Sequence, residues 1–434
     1  MTALRRHGSY LALGLAILAV SEGLSHLALR LSRPLLDEEV LTTEAILADQ
    51  SQRIGTLLTS DTTGLLILDS ALGWRYRAGY ADSRTEVNAQ GLRSARNYAR
   101  RTPSGRVRVA AFGDSFVYGS EVRTGDAWPT LMERVFPQLE VLNYGVGGYG
   151  VDQAYLRFRA EGVVLRPRVV LIGFVSDDLR RVVNVYRRFL SHSEIPLTKP
   201  RFVLAANDEL RLLENPLATA VRYQRYLHSP RTIVELGVND QWYRPEIYEN
   251  PLYDRSATVR LAVAVWVRIH DRYLARDRLV RHGVFSRTSR AYKIQMALLR
   301  AFAQEARTGG ALPLVVFFPD KSSLTRARRG LRSPFSPLMA DVAAAGIDHV
   351  DLTPAFMAAA GGGGMGHLFM PGGHYSPAGN RVVAASLGRD LVARHAAGEL
   401  ALGPRRVRAV AASARRFADT FAERPADHPA MAVW

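Results

Sequence analysis

From residue 106 onward, short apolar runs alternate with stretches of helical spacing. Residues 107–112, 139–142 and 169–175 are apolar runs of strand length, and 127–135 and 151–161 between them carry the 3.6-residue period of helices. This alternation predicts a parallel sheet with helices on both faces, because parallel neighbours need a crossover between them. The rhythm breaks over 179–285, where an aromatic-rich stretch (223–253) and an apolar helical stretch (259–279) read as a large insertion. It resumes with a helix over 289–306, a buried strand over 312–318, a helix near 338–345, a strand over 349–352 and a closing helix over 380–395. Before the first strand, 34–63 reads as a mixed polar and apolar helical stalk, and 64–105 as short strand-like pieces and turns. The expected organisation is therefore a segment 1–33, a stalk and leader 34–105, a main domain 106–400 and a tail 401–434.

The N-terminal segment places Arg5 and Arg6 before an apolar stretch that continues past Glu22 to Leu29, long enough to cross a bilayer. The early arginines would keep the N-terminus in the cytoplasm and export the bulk of the chain to a bacterial-type envelope or periplasm. A cleaved secretory signal, with Ala19-Val20-Ser21 as its small-residue site, is the alternative, and a buried or peripheral helix a third reading.

Three blocks carry candidate chemistry. Gly113-Asp114-Ser115-Phe116 follows the first strand and opens a helix, so a serine hydroxyl stands beside the N–H groups of a helix N-terminus. A serine in that position is also simply a good helix cap. Asn143-Tyr144-Gly145-Val146-Gly147-Gly148-Tyr149-Gly150 follows the second strand, and Gly373-His374-Tyr375-Ser376-Pro377-Ala378-Gly379-Asn380 precedes the last helix. In that order the blocks resemble the SGNH/GDSL hydrolases, a family of esterases and acyltransferases, over roughly residues 106 to 395. Leu72-Gly73-Trp74 and Asn88-Ala89-Gln90-Gly91-Leu92-Arg93 also resemble the leader of membrane-anchored members.

The resemblance implies a flavodoxin-like three-layer α/β sandwich. It further implies that Ser115 is the nucleophile, Gly148 a second oxyanion N–H donor beside the Ser115 N–H, and His374 the general base. Two positions depart from the family pattern. Asp177, in Val175-Ser176-Asp177-Asp178, stands where an asparagine amide would donate to the oxyanion. The acid that usually precedes the histidine by two or three residues is replaced by Gly372 and Pro371. An ionised carboxylate donates no hydrogen bond, and a histidine without an acid lacks the group that orients it. One expectation is that Asp177 or Asp178 reaches His374 from the third block; Asp351 is a weaker candidate. The reaction implied is acyl transfer through an acyl-serine, to water or to a sugar hydroxyl, on an acylated cell-surface glycan or lipid. A degenerate fold that binds glycan or scaffolds an envelope assembly is the competing reading.

Composition adds limits. The 434-residue chain has no cysteine, which removes disulfides and thiol chemistry. Its net charge of +17 comes mostly from dispersed arginines and lacks any nucleic-acid recognition motif. Arg96, Arg100, Arg101, Arg106, Arg108, Arg180, Arg181, Arg187 and Arg188 read as solvated surface, or as a face toward anionic lipid or acidic glycan. Lys199 and Arg201 before Phe202 are a weak candidate grip for an anionic or sugar ligand within the insertion, itself either a substrate-shaping cap or a structural elaboration. Gly361-Gly362-Gly363-Gly364 lacks the lysine and hydroxyl of a phosphate loop and reads as a linker before the histidine block. No metal or cofactor is expected, and the tail from Gly403 reads as a basic helix or disordered.

Overall fold

The computed structural model describes residues 2–31, 40–59, 63–162, 164–191, 195–229 and 232–400. The basic tail from Gly403 and residues 34–39 and 60–62 of the expected stalk lie outside the described residues. The chain divides into two compact units.

The larger unit comprises Arg75–Val182, Arg201–Leu213 and Leu279–Trp434. Its five strands are β1 (Val107–Phe112), β2 (Leu139–Asn143), β3 (Val169–Phe174), β4 (Leu312–Phe317) and β5 (Asp348–Asp351). They form one parallel sheet in the order β5-β4-β3-β1-β2. All residues of β1, β2 and β3 are buried, which is why these strands read as continuous apolar runs rather than alternating ones. Alternate side chains serve opposite layers. Val107, Val109 and Ala111 join a core with Trp128, Leu131 and Met132 of the helix Trp128–Val135 and with Val383, Leu387 and Leu391 of the closing helix Pro377–Ala396. On the other face Phe112 stacks on Tyr144 at 4.4 Å and meets Phe158 edge-on at 5.7 Å. Phe158, from the helix Val151–Glu161, in turn meets Phe302 of the helix Arg290–Thr308 at 5.4 Å. The result is the expected three-layer sandwich. The direction of winding reverses at β1, between β2 and β3, and the carboxyl ends of strands at such a reversal form a natural site crevice.

Several arginines read as solvated are buried. Arg108 lies opposite Glu140 in the β1/β2 register and donates from Nε to its carboxylate at 2.7 Å and from Nη1 to the Leu165 carbonyl at 2.6 Å. Arg181, Arg187 and Arg188 are buried as well. The hairpin Arg201–Leu204/Leu210–Leu213, counted with the insertion by sequence, belongs to this larger unit.

The smaller unit comprises Met1–Trp74, Val183–Pro200 and Glu214–Arg278. The helix Thr43–Thr59 buries Ile46, Gln50, Ile54 and Leu57, and Gln50 accepts a hydrogen bond from Tyr186 at 3.1 Å, so this part of the expected stalk is packed into a folded unit. Asp240 gathers Asn184 Nδ2, Val185 N and Tyr186 N at 2.6–2.9 Å and so ties the two inserted segments together. The N-terminal helix Thr2–Leu31 contains one stretch, Ala12–Leu31, long and apolar enough to cross a membrane.

Candidate active site

The serine block is built by its neighbours in sequence. Asp114 ends β1 in an extended conformation and accepts the Phe116 N–H at 2.8 Å, capping the short helix Ser115–Tyr118. Ser115, 7% exposed, is the first helical residue, so its N–H has no intrahelical acceptor. Gly119, in the left-handed conformation with φ 79°, stops the helix, and the Gly119 and Ser120 N–H groups both return to the Ser115 carbonyl at 2.9 Å. That reversal delivers Glu121, itself at φ 68°, an unusual conformation for a residue with a side chain.

An acid does reach the histidine block, and it is Glu121. His374 Nδ1 lies 3.0 Å from Glu121 Oε1, with both side chains about one-quarter exposed. A carboxylate only accepts, so Nδ1 carries the proton and Nε2 is left as the basic nitrogen. This is the relation an acid bears to the base in a Ser-His-acid triad. The other carboxylate oxygen, Oε2, is buried without a hydrogen-bond partner among the described residues.

The histidine block lies against the serine helix. The Phe116 ring is 5.3 Å from the His374 ring and 4.9 Å from Tyr375. Asn380 accepts the Trp128 N–H at 3.0 Å and donates to the Tyr375 and Ser376 carbonyls at 3.0 and 3.1 Å, while Trp128 Nε1 donates to the Phe116 carbonyl at 3.1 Å. One amide and one indole thus tie the histidine loop to the serine helix.

The glycine block approaches the same helix. A Cβ on Gly145 would overlap the backbone at Val117 and Tyr118, so only glycine permits this contact. Tyr76 of the leader accepts the Gly147 N–H at 3.0 Å, whereas the Gly148 N–H has no acceptor among the described residues. Tyr76 is half-buried, and the low-dielectric surroundings of its ring raise its pKa, so the phenol stays neutral.

Behind the serine, Arg181 Nη1 donates to Asp114 at 2.8 Å, to Asp178 at 3.2 Å and to the Tyr149 carbonyl at 3.0 Å. Burial opposes the Arg181 charge, but Asp114 and Asp178 beside it raise its pKa above the ordinary arginine value. Asp178 also accepts the Val175 N–H at 2.9 Å; burial first, and the Asp114 charge next, push it well above the usual carboxylate range. The acid reaching His374 is therefore neither Asp177 nor Asp178. Asp178 is held by Arg181, and the Asp177 side chain is 63% exposed and 3.7 Å from Arg181. Asp351 is engaged elsewhere, accepting the Thr353 N–H at 2.9 Å.

The structure thus sets the histidine loop and the glycine block against the helix that Ser115 opens, and adds two residues that the sequence pattern does not reveal. Glu121 sits only six positions after the serine, whereas the sequence pattern points for an acid to the third block and the residues before the histidine. Arg93 of the leader is buried and donates to the carbonyls of Tyr118, Gly119 and Val122, the turn that carries Glu121. Among the described residues no group of three or more metal-ligating side chains is present.

No family model and no curated protein matches the chain. Solved structures do. A member of the lipolytic protein G-D-S-L family from Veillonella parvula is 12% identical over 64% of this chain and 94% of its own, with a TM-score of 0.29. A catalytic mutant of an acetylxylan esterase from Geobacillus stearothermophilus is 13% identical over 65% and 93%, with a TM-score of 0.34. A GDSL-like lipase from Bacteroides thetaiotaomicron is 11% identical over 68% and 91%, with a TM-score of 0.31. The chain is an α/β protein with a five-stranded parallel sheet, and these GDSL-type structures are among those it is similar to, at low identity.

Proposed function

We propose that the chain is a serine-dependent ester hydrolase or O-acyltransferase working through an acyl-serine intermediate. The observation that carries this reading is the contact of Glu121 with His374 Nδ1, which provides the orienting acid that the histidine block lacks. In the proposed reaction His374 Nε2 takes the Ser115 proton as the hydroxyl oxygen attacks the ester carbonyl. Glu121 holds the imidazole in the productive tautomer and stabilises the imidazolium. The Ser115 and Gly148 N–H groups receive the oxyanion. His374 then returns the proton to the leaving alcohol, and a water or sugar hydroxyl takes the acyl group from the serine. Asp177, exposed and beside Arg181, is given no part in the hole.

The substrate in this reading is an acylated cell-surface glycan or lipid, met from a membrane anchor with the catalytic domain outside the cytoplasm. Retention of the N-terminal helix is supported by Glu22, whose carboxylate accepts from Ser256 Oγ at 2.7 Å, from the Ala257 N–H and from the Thr258 N–H at 3.2 Å. A helix integrated into the fold in this way is unlike a segment destined for removal.

Labelling of the full chain with a fluorophosphonate tests the reaction. Labelling lost in Ser115→Ala and sharply reduced in His374→Ala and Glu121→Ala is the expected result. A folded protein that takes no label, or labels equally in all four forms, would overturn the assignment.

A further inference from the structure

We propose that Arg188, in the smaller unit, anchors an anion site that takes the phosphate group of a ligand, with the hydroxyls of Tyr248 and Tyr253 as further donors. The site is independent of the reaction assigned to Ser115. Arg188 belongs to the short helix Arg187–Leu190 and is only 6% exposed. Its Nε is buried without a hydrogen-bond partner, and no acid pairs with its guanidinium among the described residues. An arginine keeps its charge at any working pH. A buried charge without a counter-ion is costly, so such groups are normally paired. Arg108 and Arg181 of the larger unit follow that rule, the first held by Glu140 and the second by Asp114 and Asp178. Arg188 departs from it.

The acids around it are already engaged. Asp49 feels the Arg188 charge but is taken up by Arg53 at 2.9 and 3.0 Å and by Gln50 at 2.9 Å. Asp240 accepts from Asn184, from the Val185 and Tyr186 N–H groups and from the Trp242 N–H. The other neighbours are aromatic. Phe189, the residue after Arg188, meets Tyr248 edge-on at 5.2 Å, and Tyr248 stacks on Tyr243 at 5.5 Å. Burial raises the pKa of Tyr226, Tyr248 and Tyr253, and at each the Arg188 charge is among the influences that oppose it, so all three phenols lie within its field. The Tyr226 hydroxyl is shared with that of Tyr186 at 3.2 Å. Those of Tyr248 and Tyr253 have no hydrogen-bond partner among the described residues. A guanidinium fork with neutral hydroxyls near it is a set of donors without a matching acceptor. A phosphate supplies one: the fork spans two of its oxygens and leaves a third for the phenols.

The test uses the full chain in micelles of a neutral detergent. Three probes are titrated at constant ionic strength: inorganic phosphate, glycerol 3-phosphate and, in mixed micelles, phosphatidic acid. Each should raise Tm in a saturable way, with one phosphate bound per chain by calorimetry. Arg188→Met keeps the reach of the side chain without its charge and should lose the response to all three. Without any probe its Tm should equal or exceed that of the parent, because an unpaired buried charge has been removed. Arg188→Lys keeps the charge but not the fork and should bind about tenfold more weakly. Tyr248→Phe and Tyr253→Phe should each weaken binding several-fold and leave the unliganded Tm in place. Equal affinity for glycerol 3-phosphate and phosphatidic acid would identify a free phosphate as the ligand, and a marked preference for phosphatidic acid would identify a lipid headgroup. A parent that responds to none of the probes would overturn the site, as would a response that survives in Arg188→Met. An Arg188→Met protein melting well below the unliganded parent would also overturn it, since Arg188 would then be a structural group.

Discussion

A side chain at residue 372 and the carboxylate of Glu121 would occupy the same space: a Cβ built on Gly372 overlaps Glu121 Oε1, the atom that faces His374. The two positions are complementary, glycine in the histidine block leaving room for an acid supplied from the serine block. Gly372→Ala should therefore push the carboxylate off the imidazole without altering any reacting group. We expect kcat for a simple aryl ester to fall roughly 10²-fold with KM little changed. A thermal melt should show a folded protein, and unchanged kcat would remove Glu121 from the catalytic arrangement.

The same complementarity predicts a relocation. Glu121→Ala should lower kcat by on the order of 10³–10⁴-fold, as expected when a base loses its orienting acid. Adding Gly372→Asp to that variant places a carboxylate in the vacated space, from the position where the resembling family carries one. The backbone permits it, since Gly372 is not among the residues with positive φ. The double variant should recover at least a tenfold share of the lost rate, whereas Gly372→Asp alone should be impaired by the clash with Glu121. Failure of the pair to exceed Glu121→Ala would show that the space is shared but the function is not.

These relations explain which parts of the site were legible in the sequence. The sheet was readable because strands buried on both faces leave largely apolar runs, and the candidates Ser115, Gly148 and His374 stand out because their blocks follow a strand or precede a helix. Glu121 was not, since its pairing with His374 depends on the left-handed turn at Gly119 and on a loop 253 residues away. Arg108 misled for a related reason. Its partner Glu140 is fixed by strand register rather than by sequence separation, so a buried ion pair looked like surface charge.

A second kind of prediction, on stability against pH, attaches to Asp341 of the larger unit. Arg287 donates to both of its carboxylate oxygens at 2.7 and 2.8 Å, and Tyr292 OH adds a third bond. The Arg287 hydrogen bonds, opposed by partial burial and aided by Tyr292, hold the Asp341 pKa below its ordinary value. The unfolded chain binds this proton at about pH 3.9. The stability supplied by Asp341 is therefore fully present above about pH 4 and is lost as pH falls through the lower folded value. Because Arg287 is more than half exposed, the pair contributes under about 1 kcal/mol. Asp341→Asn should lower Tm slightly at neutral pH, and the difference from the parent should shrink on acidification toward pH 3. A gap independent of pH would show that the ion pair is energetically silent.

Arg93 offers the last test of the proposed reaction, because it bonds the turn that carries Glu121. Its guanidinium is buried and faces three backbone carbonyls, those of Tyr118, Gly119 and Val122, with its carbon 4.2 Å from the Tyr118 ring centre. Burial lowers its pKa, against the raising influence of Tyr118, and its planar fork reaches all three carbonyls of the turn. A turn with Glu121 at positive φ stores strain that surrounding bonds must offset. Arg93→Lys keeps the charge but cannot reproduce three divergent hydrogen bonds, so Glu121 should lose its fixed position. We expect kcat to fall about tenfold with KM nearly unchanged. The decisive measurement is the double variant: in a Glu121→Ala background Arg93→Lys should cost almost nothing further in kcat, because the group it positions is already gone. Full additivity would instead mark Arg93 as a residue of general stability.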